Sequence, residues 1–286
     1  LQKDPRQYEA YLGMGIFNFV IGALPETSRL VMNIAGMSGN KERGLQQLRI
    51  AAEKAEYAGN DAKLVLGLLN VYYKGDYGTG IGYLKELLQK YPNNIPILYA
   101  LGNIEAQLKK MPTAVAYYKK VIDLSNTNFR QFTIYSNFRL GEAYFRLNEF
   151  DNSKLAMQKF IKANTDKSFK AIGLLRLAES YEILGDRKFA LQLYARTQQC
   201  LPITTEDKYA IRKAALYEKT PMNETEIALI KGVNNVEALR FEQAETMLRS
   251  LVMSRTATTE QKAEAWYHIG EAMRQQNRYT EALDAY

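Results

Sequence analysis

Residues 263–286 carry apolar and small residues at helical spacing twice over. Trp266, Ile269, Gly270 and Met273 stand at i, i+3, i+4 and i+7, and Tyr279, Ala282 and Tyr286 follow after a polar break. Each set marks one buried stripe on a helix, so the segment predicts a helical hairpin. The same frame returns upstream as Leu140, Gly141, Tyr144, Leu147, Phe150, Ser153 and Phe160, and as Leu177, Ala178, Tyr181, Leu184, Ala190 and Tyr194. Looser copies centre on Gly67, Gly102 and Gly232. In these, Glu105 stands where an aromatic is expected, Lys231 replaces the apolar partner of the glycine, and residues 74–80 hold an apparent one-residue insertion. The frame-marking residues Gly67, Gly102, Gly141, Ala178, Gly232 and Gly270 stand 35, 39, 37, 54 and 38 residues apart. One gap is longer than the rest, and residues 206–217 within it predict an extra amphipathic helix. Self-similarity at such a period is the signature of a stacked array, in which each hairpin covers the apolar face of the next.

The first 60 residues depart from this frame. Residues 8–24 read as one apolar helix, and Pro25 opens a second at its first turn, where proline is tolerated. Gly36 and Gly39 end that helix, and Asn40 caps a third over residues 41–58. The expected organisation is residues 1–60 as atypical helices with an inserted helix after Pro25. Residues 61–286 form about six hairpins, the last cut short at Tyr286. The fold class is all-α, a right-handed superhelix of helical hairpins.

Composition narrows the chemistry. The 286 residues include one Cys, one His and one Trp, too few ligands for a structural zinc site or a disulfide framework. No cofactor and no metal are expected. The net charge is +7, and the excess lies in residues 61–200, which carry 20 basic and 12 acidic residues. Lys109, Lys110, Lys119 and Lys120 sit among apolar residues at helical spacing, the pattern of solvated outer faces, so no nucleic-acid partner is expected. The apolar run at residues 11–25 is shorter than the roughly 20 residues a bilayer span requires. Both ends read as cut. A cytoplasmic location is favoured, with a periplasmic one open if a leader was removed.

The repeat resembles the tetratricopeptide repeat, in which a large residue, a Leu-Gly-like pair and an aromatic mark the first helix, and a small residue and an aromatic mark the second. The N-terminal residues Gly13-Met14-Gly15-Ile16-Phe17-Asn18, Leu24-Pro25 and Gly36-Met37-Ser38-Gly39-Asn40-Lys41-Glu42-Arg43-Gly44-Leu45 resemble the eukaryotic repeat family that includes inclusion-body clearance proteins. The resemblance implies an adaptor without catalytic residues. It also implies that the first helix of each hairpin lines an inner groove. Counting from the small-residue positions gives the expected groove residues: Tyr99, Asn103 and Gln107; Phe138, Glu142, Phe145 and Arg146; Glu179 and Glu182; Tyr267, Glu271 and Arg274. Three glutamates on this face would repel a carboxylate, so a basic or aromatic segment of a protein or peptide partner is expected.

Other constellations give weaker expectations. The glycine-dense residues 75–82 lack the spacing of a phosphate cradle and predict a turn. His268 has no triad order around it, and nothing around Cys200 predicts a lowered pKa. An alternative function is a membrane-associated assembly or secretion factor using the apolar N-terminal helix. A third is a hydrolase using Glu179 and Glu182 at i, i+3, which an open, wet groove disfavours because it would leave their pKa values ordinary. Homotypic assembly is a further alternative.

Overall fold

The computed structural model describes residues 6–124 and 127–286, and among these every regular element is helical. Packing divides the chain into two units at Ile97.

In the first unit, α1 (Ala10–Ala23) packs on α3 (Lys41–Lys54), and α3 packs in turn on α4 (Gly59–Leu69), so the first 60 residues share one packed unit with the first hairpin of the array. Between α1 and α3 runs α2 (Glu26–Ile34), with Pro25 at its N-cap and no buried residue. Asn40 caps α3 by accepting from the Arg43 N–H at 2.8 Å. Glycine lets the α1 and α3 backbones touch. A Cβ at Gly44 would lie 2.5 Å from Phe19 N, and one at Gly22 would lie 2.6 Å from Lys41 N. The one-residue insertion expected at 74–80 is absorbed slightly earlier, where Asn70–Lys74 continues α4 as a π-turn closed by Gly75 at φ 71°. Asp76 then caps α5 (Tyr77–Lys90) by accepting from the Thr79 N–H at 3.0 Å; of the glycine-rich residues 75–82 expected as a turn, only Gly75 and Asp76 lie between helices, and residues 77–82 open α5.

The division falls inside α6 (Ile95–Gln107), which is followed by α7 (Met111–Leu124). The second unit continues with α8 (Arg130–Arg146) and α9 (Phe150–Ala163), then α10 (Lys170–Ile183) and α11 (Arg187–Gln198). The expected extra helix is α12 (Thr205–Lys219). Two more hairpins complete the unit: α13 (Glu224–Glu237) with α14 (Phe241–Met253), and α15 (Thr259–Gln275) with α16 (Tyr279–Ala285).

The hairpins share one turn. The residue that ends the first helix lies in the left-handed region at Lys109, Asn148, Gly185, Leu239 and Asn277, with φ between 58° and 92°. Reversal of the chain there satisfies the last carbonyls: Asn148 N–H bonds to Phe145 O and Glu149 N–H to Tyr144 O, both at 2.9 Å. At the small-residue positions the paired helices meet through side chains. A Cβ at Gly141 would have Met157 side-chain atoms as its nearest neighbours, at 2.8 Å. Phe138, Met157, Phe160, Leu174, Leu175 and Tyr194 belong to one continuous core that reaches Ala210, Ala214 and Tyr217 of α12.

α12 is locked in by Asp207, which is fully buried. Its Oδ2 accepts from the Thr204 N–H at 3.3 Å while Thr204 Oγ1 accepts from the Asp207 N–H at 3.0 Å, closing a capping box on α12. The same carboxylate accepts from the N–H groups of Phe169, Ala171 and Ile172 at 3.1, 3.0 and 3.3 Å. One side chain therefore satisfies the free donors at the start of two helices and so fixes the insertion against α10.

Candidate binding site

With α12 in place, the chain turns far enough for α13 to pack back against the end of α8. Asparagines make the contact. Asn234 Nδ2 donates to Phe145 O at 2.8 Å and to Asn148 Oδ1 at 2.9 Å. Asn148 Nδ2 donates to Lys231 O at 3.1 Å and to Asn235 Oδ1 at 3.2 Å. Arg240 Nη1 donates to Leu147 O at 3.1 Å, and Glu237 bonds Lys109 at 2.8 Å, with Arg146 at 4.0 Å. Asn148 can serve this contact because its left-handed backbone turns its side chain away from its own helix; asparagine is one of the few residues that adopts that conformation readily.

The contact reduces the inner side of this unit to a cavity of about 250 Å³, between α8, α10, α12, α13 and α15. Four of the expected groove residues line it: Glu142, Phe145, Arg146 and Glu179. At its floor the Arg176 guanidinium pairs with Glu142 Oε1 at 2.9 Å and Glu179 Oε2 at 2.6 Å, and lies 4.7 Å from the centre of the Phe145 ring. Burial works against the charge of Arg176, but the two glutamates more than offset it and its pKa rises. Glu179 is 2% exposed, and burial raises its pKa despite Arg176. The open, wet groove expected from the sequence is corrected at Glu179, whose carboxylate is buried and desolvated.

The opposite wall comes from α12. Tyr209, Lys213 and Tyr217 stand one helical turn apart, with the Lys213 ammonium 4.6 Å from the centre of the Tyr217 ring. Tyr217 Oη donates to Glu226 Oε1 at 2.7 Å, and burial foremost, with Glu179 and Glu226 nearby, raises its pKa. Leu229, Ile230 and Val233 of α13 supply the apolar side.

The remaining expected residues lie elsewhere. Phe138 is turned into the core against Phe160 and Phe169, at 5.0 and 5.4 Å between ring centres, so it lines no groove. Glu182 does not join Glu179: it accepts from Tyr194 Oη at 2.6 Å, Arg187 Nη1 at 2.8 Å and Met222 N–H at 2.9 Å, a buried structural site. The pair of carboxylates considered for hydrolysis is therefore split between two environments. Tyr99 packs edge-on against Phe132, Asn103 accepts from Tyr118 Oη at 2.9 Å, and Gln107 is exposed. Tyr267, Glu271 and Arg274 form a separate group on the last hairpin, where hydrogen bonds from Arg274 and Tyr286 lower the Glu271 carboxyl to about 2. Burial lowers the His268 pKa and raises that of the Cys200 thiol.

Sequence reasoning missed Arg176 and the whole contribution of α12 and α13. The groove count, continued from Gly232, reaches Leu229 three residues before it and Val233 one after, and both line the cavity.

A tetratricopeptide repeat protein from Parabacteroides merdae aligns over 97% of this chain and 90% of its own, with a TM-score of 0.50 and 14% identity, and shows the same fold. YrrB, described as a TPR protein with an unusual peptide-binding site, aligns over 71% of this chain and 88% of its own at 16% identity and a TM-score of 0.34. The TPR domain of P58(IPK) covers 99% of this chain and 83% of its own at 14% identity and a TM-score of 0.34. The family model of Iml2/Tetratricopeptide repeat protein 39 matches residues 9–276. The match takes in both the repeat and the atypical N-terminal helices, and the chain belongs to the Iml2/Tetratricopeptide repeat protein 39 family.

Proposed function

We propose that the chain is a protein-interaction scaffold that holds a segment of a partner polypeptide at the cavity on the inner side of its second unit. The observation that carries this reading is the convergence of four first helices and one inserted helix on a single recess that mixes charged, aromatic and aliphatic walls. Recognition sites are recesses of this kind, with a few fixed polar groups set in an apolar surround. A photo-crosslinking residue placed at Tyr209, in the cavity wall, should capture polypeptide in cells. The same residue at Leu155, exposed on α9, should not. Equal capture at the two positions would overturn the reading.

A second reading attaches to the first unit. Leu30, Val31 and Ile34 of α2 are 62%, 65% and 80% exposed, and Ile16, Phe17 and Val20 of α1 are exposed as well. Among the described residues no helix is long and apolar enough to cross a membrane, so such a face would lie on a lipid surface rather than span it. Flotation of the chain with liposomes, lost on Leu30→Glu and Ile34→Glu, supports this; failure to float removes it.

A further inference from the structure

We propose that the cavity recognises a cationic side chain, a guanidinium or ammonium group, presented by the partner polypeptide. The inference rests on the scaffold reading above and specifies what the cavity accepts.

Local charge is the first argument. Glu142, Glu179, Glu226, Glu237 and Glu264 line the cavity, against three cations, in a chain of net charge +7. The recess reverses the sign of the whole molecule, so it favours cations where most of the surface repels them. An anionic group would meet the glutamates at once and be rejected.

Two of these carboxylates have capacity to spare. Glu179 is almost wholly buried, yet among the described residues only its Oε2 is hydrogen-bonded, to Arg176. A carboxylate has about four lone-pair sites, so Glu179 Oε1 keeps room for a further donor. Glu264, at the rim on α15, is exposed and has no ion pair or hydrogen bond from its side chain among the described residues.

The walls suit the same ligand. Phe145 and Tyr217 each already carry a cation over the ring, at 4.7 and 4.6 Å. Tyr209, beside them in the wall and partly exposed, has no stacked cation or ring among the described residues. An aromatic face attracts a cation most strongly in a partly desolvated site, and guanidinium stacks on it as well. The cavity volume of about 250 Å³ lies below the roughly 300–1,000 Å³ of small-molecule pockets, which fits one long side chain and not a helix.

The test uses the full chain with labelled methyl groups and four capped peptides. These are identical Gly/Ser sequences with a central Arg, Lys, citrulline or Glu. NMR titration follows the methyls of Leu229, Ile230 and Val233. The Arg and Lys peptides should shift them saturably, and the citrulline and Glu peptides should not. Glu264→Lys should weaken the Arg peptide about tenfold, and Glu264→Gln by less, as expected for a charge facing a charge. Glu264 is exposed, so unchanged thermal midpoints would show both variants folded. Equal binding of Arg and citrulline, or no response at these methyls to any peptide, would overturn the proposal. If capture at Tyr209 persists while Arg and citrulline bind alike, the scaffold reading stands and the cationic specificity falls.

Discussion

Two close approaches of helices organise the molecule, one in each unit, and they are made differently. α1 and α3 meet backbone to backbone, through glycines that leave no space between them. α13 meets α8 through asparagine side chains and an arginine, and beside that contact space remains. Glycine packing gives a rigid joint with nothing to offer a ligand. A polar contact holds two helices at a distance and lines the gap with groups that can still bond. The first contact is architecture, and the second is where recognition belongs.

Substitution should separate the two. Gly44→Ala places a methyl 2.5 Å from Phe19 N and 2.7 Å from Gly15 O, and backbone cannot move aside. It should cost about 3 kcal/mol in urea unfolding, the upper range of overpacking. Gly141→Ala meets side-chain atoms of Met157 rather than backbone and should cost about 1 kcal/mol. If both cost the same, the distinction between backbone and side-chain contact is wrong.

Asn234→Ala removes two donors and leaves Phe145 O and Asn148 Oδ1 without that bond. About 2 kcal/mol should be lost, with faster hydrogen exchange at the end of α8. A smaller change runs the other way. Leu239 holds φ 58°, where a branched side chain is strained, and Leu239→Gly should raise stability by about 1 kcal/mol. The smallest effect concerns pH. Glu271 has its carboxyl lowered from 4.5 to about 2, so the contribution of its bonds to Arg274 and Tyr286 is present above pH 4.5 and lost as pH falls through about 2. The difference in thermal midpoint between wild type and Glu271→Gln should shrink across that window.

Much of this was legible in the sequence. Periodic apolar residues located the hairpins, Pro25 and Asn40 marked the breaks around α2, and the long gap before Gly232 located α12. Four of the cavity residues, Glu142, Phe145, Arg146 and Glu179, were legible as well, because their positions on α8 and α10 follow from the repeat frame. The rest depended on a turn that periodicity does not encode. Asp207 reads locally as a helix-capping residue, and nothing in its neighbourhood says that it also caps α10, 36 residues before it. Asn148 and Asn234 read as ordinary polar positions until the chain folds back and joins them across 86 residues. Phe138 misled for the opposite reason. It occupies a groove register, but the aromatic ring packs better between Phe160 and Phe169 than toward water.

The central claim is that the repeat folds back on itself to close the cavity, and a zero-length cross-link tests it on the unmodified chain. Lys109 Nζ lies 2.8 Å from Glu237 Oε1, across 128 residues. Carbodiimide treatment of the monomer, followed by peptide mass spectrometry, should find an intramolecular Lys109–Glu237 bond, with the Lys63–Glu86 pair of the first unit as internal control. Recovery of the control without the Lys109–Glu237 product would show an open array in solution and contradict the account.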